Sequence, residues 1–149
     1  MTENPPTVTI PPLIGVPAKR KSLGQFQGIF ERQIAVLEAD CKLADPYADG
    51  TNIHSNPAMH DLLNISLQKL NMAYWRWDLR LDELMQEDTD QTNLAEYKDK
   101  WKTVRTEYSD AKALLITTIS NIKKDHPGTG ENENRASTNK QIWPTSVLN

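Results

Sequence analysis

The chain lacks most of the sequence features that identify a chemical activity. It has one cysteine, Cys41, among 149 residues, which excludes an internal disulfide framework and a zinc site built from several cysteines. No apolar run approaches the roughly 18 residues of a membrane span, so we expect no membrane partner. The first residues combine Glu3 with several prolines and do not resemble a signal peptide. We therefore expect a cytoplasmic protein, with a nuclear location left open.

An excess of charge of one sign is also missing. Lysine and arginine total 17 against 20 aspartate and glutamate residues, and the formal net charge is −3. Such a balance disfavours broad nucleic-acid binding, which depends on a basic surface. The hydrophobic fraction of 38% is enough for the modest core of one domain.

Motifs of enzymes and of cofactor sites are absent from the sequence. There is no phosphate-binding glycine loop, no G-x-S-x-G and no H-E-x-x-H. The loop from Asp45 starts like a calcium-binding EF-hand but fails at its third position and at its twelfth, Asn56. His54 and His60 have no third strong ligand nearby, and Cys41 continues an apolar helix face. We expect no catalytic residue, no cofactor and no bound metal.

Composition divides the chain into three zones. Residues 1–21 hold five prolines and end in a basic patch, and residues 125–149 are rich in glycine, asparagine, serine and threonine. Both compositions are typical of disordered segments, so we expect a disordered arm and a disordered tail. Residues 22–124 have the hydrophobic periodicity of helices.

The periodic zone predicts three helices, over about 22–44, 57–86 and 93–124. Ser22 begins a capping box at the first helix, and Pro57 suits the first position of the second. Their apolar positions repeat every three or four residues as seams: Leu23, Phe26, Phe30, Ile34, Leu37, Cys41 and Ala44; Leu63, Leu67, Leu70, Tyr74, Trp77, Leu81 and Leu84; Leu94, Tyr97, Trp101, Val104, Tyr108, Ala111, Leu115 and Ile122.

Short connections between seamed helices favour antiparallel neighbours. The fold class predicted is all-α, an antiparallel three-helix bundle of coiled-coil type. Asn93 is the predicted N-cap of the third helix, with Thr92 and Asp90 as alternatives. An acidic cluster is interpreted as a solvated helix end, with docking of a basic partner as the alternative: Asp82, Glu83, Glu87, Asp88 and Asp90.

The second helix carries a surplus of apolar residues opposite its seam. This second stripe consists of Ile65, Met72, Trp75 and Leu79. A helix that is apolar on two sides is either buried on both of them or exposes an apolar surface that can bind a partner. These four residues are the candidate interaction surface. Burial within the chain is the alternative, through a first-helix stripe or through the tails: Ile29, Val36 and Leu43; Leu13 and Ile14; Ile142 and Trp143.

Residues 19–120 also carry a family resemblance. Its parts are, in order, Lys19-Arg20-Lys21-Ser22-Leu23 with Phe26, the leucine-rich stretch 70–84, the acidic turn 88–90, and the aromatic and leucine spacing of 97–115. This order resembles the N-terminal helical region of Gag polyproteins of BEL/Pao-type LTR retrotransposons. The resemblance implies an assembly function. Since the chain ends at Asn149 without a capsid-like region and has no zinc knuckle, it implies a fragment or relic of such a polyprotein.

Two functional hypotheses follow from the sequence. The first is a non-enzymatic helical module for protein–protein interaction or self-assembly, whose partner is a second copy or another helical protein. The second is a monomeric helical adaptor that binds its partners through short segments of its tails, at residues 5–12 or 142–148.

Overall fold

The computed structural model describes residues 6–48 and 57–122. Within these ranges the chain forms three helices, α1 (Val16–Ala48), α2 (Pro57–Glu87) and α3 (Gln91–Asn121), and no strand. The helices pack around one hydrophobic core, which confirms the predicted all-α three-helix bundle. The predicted tail at 125–149 lies outside the described residues.

Helix α1 extends beyond its predicted limits at both ends. It begins at Val16, after Gly15, whose φ of +94° is in the left-handed region that glycine adopts at no steric cost. Pro17 follows in the first turn, where its missing N–H would have no helical partner. Ser22, the predicted N-cap, is instead buried within the helix. At the other end α1 continues past Pro46, because the steric bias at the preceding residue is a preference and not a block.

Two aspartates close the turn between α2 and α3. Asp90 is the N-cap of α3, and its carboxylate accepts a hydrogen bond from the Asn93 N–H at 3.0 Å. Asp88 accepts from the Asp90 N–H at 3.0 Å, from the Asn93 side-chain amide at 3.0 Å and from the Tyr97 hydroxyl at 2.6 Å. The cap is therefore Asp90, one of the two alternatives to Asn93, and α3 begins two residues before its predicted start.

The core consists of residues from all three predicted seams. Trp77, Tyr74 and Tyr97 are the largest apolar side chains that are fully buried. Among the seam residues, Trp101 departs from the prediction, since 39% of it is exposed. Within the described ranges, no helix combines the length and the apolarity needed to cross a bilayer.

Side-chain contacts define the direction of the helices. They join residues whose numbers rise along one helix and fall along its neighbour: Lys19 with Glu87, Asp40 with Ser66, Asn71 with Tyr108, and Tyr74 with Arg105. Helices consecutive in the chain therefore run in opposite directions, and α1 and α3, which meet at Arg20 with Glu96 and at Cys41 with Thr118, run in the same direction. The coiled-coil type of packing that the seams predict stays a prediction.

Candidate interaction face

The four candidate residues of α2 occupy different environments. Ile65 and Leu79 are exposed, Met72 is half-buried beside α1, and Trp75 is half-buried against the core. On a helix of 3.6 residues per turn, Met72 and Leu79 lie within about 40° of Ile65, whereas Trp75 is about 80° away. Three of the four thus follow the outer side of α2, and Trp75 points toward α3.

Trp75 has partners within the bundle. Its ring meets those of Tyr74 and Tyr108 edge-on, with centroids 5.0 Å and 6.4 Å apart. The two tyrosine rings are themselves stacked, with centroids 4.0 Å apart and an interplanar angle of 2°. Stacked and edge-to-face pairs stabilise a contact beyond the area they bury. Trp75 was predicted to lie on the exposed stripe, but it is half-buried because it packs against these two tyrosines.

Helix α1 contributes an exposed stripe of its own. Ile29, Val36 and Leu43 are 45–60% exposed, and their seven-residue spacing places them on one side of α1. The sequence left open whether this stripe covers that of α2. Instead the two stripes lie side by side, since Ile29 and Met72 line one groove. We call the surface formed by both stripes, without Trp75, the outer face: Ile29, Val36 and Leu43 of α1 with Ile65, Met72 and Leu79 of α2.

A groove of about 420 Å³ runs between α1 and α2 in the middle of the outer face. Its apolar lining comes from Phe26 and Ile29 on α1 and from Met72 and Ala73 on α2. Because the side chain of Ala73 is small, it does not fill the space between α1 and α2 at this level. The side-chain nitrogen of Gln33, which also lines the groove, is buried without a hydrogen-bond partner among the described residues. The groove has room for side chains from a further element.

Two cations line this groove, and a third lies beside it on α1. Lys69 and Arg76 line it from α2, and Arg32 lies on the outer side of α1, one turn from Ile29. The contacts Ser22–Arg80 and Asp40–Ser66 set the register between the helices and place Arg32 level with Met72. All three cations are exposed, and none forms a salt bridge with another described residue.

The arm before α1 is held by a buried arginine. Arg80 is fully buried, and its guanidinium donates to the Pro11 carbonyl at 2.6 Å, to the Ser22 hydroxyl at 3.0 Å and to the Glu83 carboxylate at 2.7 Å. The Phe26 ring lies 5.7 Å from it. A buried charge is stable when its donors are paired in this way. Residues 6–14, predicted as disordered, therefore follow an extended course that is tied to α2.

The arm lies over the junction of α1 and α2, next to the outer face. Its residues Thr9, Ile10 and Pro11 enclose a second groove together with Phe26 and Arg76, both of which also line the first. The arm thus flanks the central groove at its Arg76 end, and no other part of residues 6–48 and 57–122 covers the remainder of the outer face.

Two roles were not predicted from the sequence, that of Arg80 and that of the basic patch at residues 19–21. A signal was present, because Arg80 follows Ser66 and Ala73 at seven-residue steps on the side of α2 that faces α1. Lys19 of the basic patch is buried and forms salt bridges with Glu87 and, at 3.8 Å, with Glu83. These residues stabilise the end of the bundle.

Four titratable groups away from the central groove have structural partners. Hydrogen bonds from Tyr97 and from the backbone lower the pKa of Asp88, while burial and the bond to Asp88 raise the pKa of Tyr97 to about 12. Burial raises the pKa of the Cys41 thiol, and Thr118 makes a hydrogen bond to it. The ring of His60 lies 3.0 Å from the Asn64 amide. His54 and most of the calcium-like loop lie outside the described residues.

No cluster of three or more histidine, cysteine, aspartate or glutamate side chains within 6–48 and 57–122 could hold a metal ion. The central groove offers apolar contacts and cations to whatever binds there. Comparison with family models, curated proteins and solved structures finds no match for this chain.

Proposed function

We propose that this chain is a non-enzymatic, cytoplasmic protein-interaction module whose outer face packs a further helix. The observation that carries the proposal is the pair of exposed apolar stripes on α1 and α2. Each repeats at seven residues, and the two lie side by side along antiparallel helices.

Physical chemistry favours covering such a face. Two apolar ridges with a groove between them form the usual seat for the apolar side of an amphipathic helix. The groove between Ile29 and Met72 would receive the side chains of that helix, and Val36 and Ile65 would extend the contact toward the other end of the bundle. Removing this surface from water would drive the association.

The added helix would come from a second copy of the chain or from another protein. The resemblance to Gag polyproteins supports a role in assembly. We include a Gag-derived origin in the proposal because of the segments of residues 19–120 that carry this resemblance. Both forms of the proposal use the same face.

The adaptor hypothesis has less support in the described residues. The Pro11 carbonyl, which belongs to one of its two recognition segments, is engaged by Arg80. A partner that bound residues 5–12 would have to break this contact with a buried cation. The other segment, 142–148, lies outside the described residues.

A matched pair of substitutions tests the proposal. Ile65, on the outer face, is 48% exposed, and Ile116, on α3, is 49% exposed. We expect Ile65→Glu to weaken association about tenfold or more, since burying a carboxylate against a partner's apolar stripe is unfavourable, while Ile116→Glu leaves it unchanged. Association is measured as sedimentation from low to high micromolar protein and as binding of a labelled amphipathic helix with leucine at its a and d positions.

Circular dichroism of both variants serves as the control for folding. The proposal is wrong if the wild type stays monomeric and also fails to bind the helical probes. It is equally wrong if the two glutamate variants weaken association to the same extent, because the effect would then not be specific to the outer face.

A further inference from the structure

We infer that the helix which occupies the outer face belongs to a partner protein and carries acidic residues beside its apolar stripe. This inference rests on the proposed function and names the partner's chemistry. It depends on the cations around the central groove and on the state of the acidic residues near them.

The cations are available to a partner. Lys69 and Arg76 lie on the same side of α2, seven residues or two turns apart, which corresponds to about 10 Å. Arg32 lies on α1 at the level of Met72, beside Ile29, with its guanidinium next to Gly28. All three side chains are exposed and form no salt bridge with the rest of the described chain. Two unpaired positive charges therefore line one apolar groove, and a third stands on its α1 flank.

The acidic residues along the same line are mostly engaged. Glu83 pairs with Arg80 and Lys19 at one end, and Asp40 accepts a hydrogen bond from Ser66 at 2.5 Å toward the other. Asp61 is exposed at the start of α2, two turns before Lys69. The charged residues that line the central groove are Lys69 and Arg76 alone, so the groove itself is positive although the whole chain has a net charge of −3.

A second copy of the chain is a poor occupant for this reason. In a two-fold dimer each residue meets the symmetry-related surface. An axis across the helices at Met72 would place Lys69 against Arg76 of the second copy. An axis along the helices would place Arg32 against the same basic residues. Both arrangements bring like charges together over the groove, and like-charge pairs at an interface are unfavourable.

An acidic amphipathic helix fits the same features. Its apolar stripe would fill the groove beside Met72, and acidic residues seven positions apart would face Lys69 and Arg76. An acidic residue on the opposite flank would face Arg32. Complementary charges of this kind select the partner and its orientation, while the apolar contact supplies most of the affinity.

Two synthetic helices test the inference. Both carry the same leucine stripe, and one has glutamate at the flanking e and g positions where the other has lysine. We expect the glutamate helix to bind the full chain about tenfold more tightly than the lysine helix at low ionic strength. The difference should shrink as salt is added, because the cations are exposed. Binding is measured by fluorescence anisotropy.

Charge reversal on the protein supplies the second arm. The variant Lys69→Glu/Arg76→Glu should invert the preference between the two helices. Its matched control is Lys98→Glu/Lys102→Glu, which makes the same change in net charge at exposed positions of α3 and should keep the wild-type preference. Sedimentation of all three proteins without peptide shows whether a second copy competes for the face.

The outcomes separate this inference from the proposed function. If both helices bind equally, or if both double variants change the preference alike, the acidic partner is wrong while the interaction module stands. If the wild type dimerises through the outer face more tightly than it binds the glutamate helix, the occupant is a second copy and the inference is overturned. If no helix binds and the chain stays monomeric, both proposals fail.

Discussion

Helix α2 meets its two neighbours through different chemistry. Toward α3 it presents Tyr74, which stacks on Tyr108 at 4.0 Å, with Trp75 against the edge of the pair. Toward α1 it presents two polar residues, Ser66 and Arg80, and each donates a hydrogen bond to a side chain of α1. Stacked rings close the outer side of the α2–α3 contact, whereas hydrogen bonds at two levels bridge the outer side of the α1–α2 contact.

The difference explains where the bundle is open. Rings stacked between α2 and α3 fill the space between the backbones, so this side is closed by the core itself. Hydrogen bonds between α1 and α2 fix two levels, at Ser66 and at Arg80, and leave the level between them to Ala73 and Met72. The central groove lies at that level. A partner therefore has room on the α1 side of α2 and little on the α3 side.

Truncation of the stacked ring should have the largest effect on stability. Tyr108 is 6% exposed, and we expect Tyr108→Ala to lower the free energy of unfolding by about 3 kcal/mol, because a large aromatic leaves a cavity. Met72→Ala is the matched truncation on the α1 side. Its side chain already borders an open groove, so we expect a loss of about 1 kcal/mol. If urea unfolding shows that both variants lose the same free energy of unfolding, the α1 side of α2 is packed as tightly as its α3 side and the comparison is wrong.

Replacement of the buried cation should have an intermediate effect. Arg80→Met keeps much of the volume but removes the hydrogen bonds to Pro11, Ser22 and Glu83. We expect a loss of about 2 kcal/mol. We also expect faster cleavage of residues 6–14 in limited proteolysis, because the arm loses its contact with α2. If the arm is cleaved at the wild-type rate, Arg80 does not hold the arm in place.

Neutralising the turn aspartate should have the smallest effect and a defined pH dependence. The pKa of Asp88 is lowered in the folded state from 3.8, so the ionised carboxylate favours folding above that value. Its contribution is lost as the pH falls between about 5 and 2. Asp88→Asn should therefore flatten the fall in unfolding free energy over this range.

Asp78 acts with the opposite sign and does not obscure the comparison. Burial raises its pKa, so its ionised form opposes folding and this penalty is relieved on acidification. Since Asp78 is present in both proteins, its contribution cancels in the difference between wild type and Asp88→Asn. Parallel pH profiles for the two proteins would show that Asp88 does not contribute in this way.

The buried seams could be predicted because burial follows from periodicity alone. Leu63, Leu70 and Trp77 repeat at sevens and are fully buried. Trp101 fits its seam equally well and is exposed, because burial also needs a neighbour opposite, and the sequence of α3 does not specify one. The same limit applies to Arg80, whose burial depends on a carbonyl of the arm 69 residues away.

The candidate surface was partly predictable for a similar reason. The spacing of Ile65 and Leu79 predicted their place on the outer side of α2, and both are exposed. The spacing could not show that Trp75 meets a tyrosine of α3, nor that the stripe of α1 lies beside that of α2. Those relations depend on the register between helices, which is set by pairs such as Asp40 and Ser66.

The single thiol of the chain has a consequence for any chemistry attempted on it. Cys41 is buried where α1 meets Thr118 of α3, and burial raises its pKa, so little thiolate is present at neutral pH and little of it can be reached. Because Cys41 also lines a groove of about 370 Å³ between α1 and α3, a small reagent can approach the sulfur along that groove, whereas a bulky one needs the two helices to separate. The reaction rate of a bulky thiol reagent would therefore report how often the bundle opens at that end.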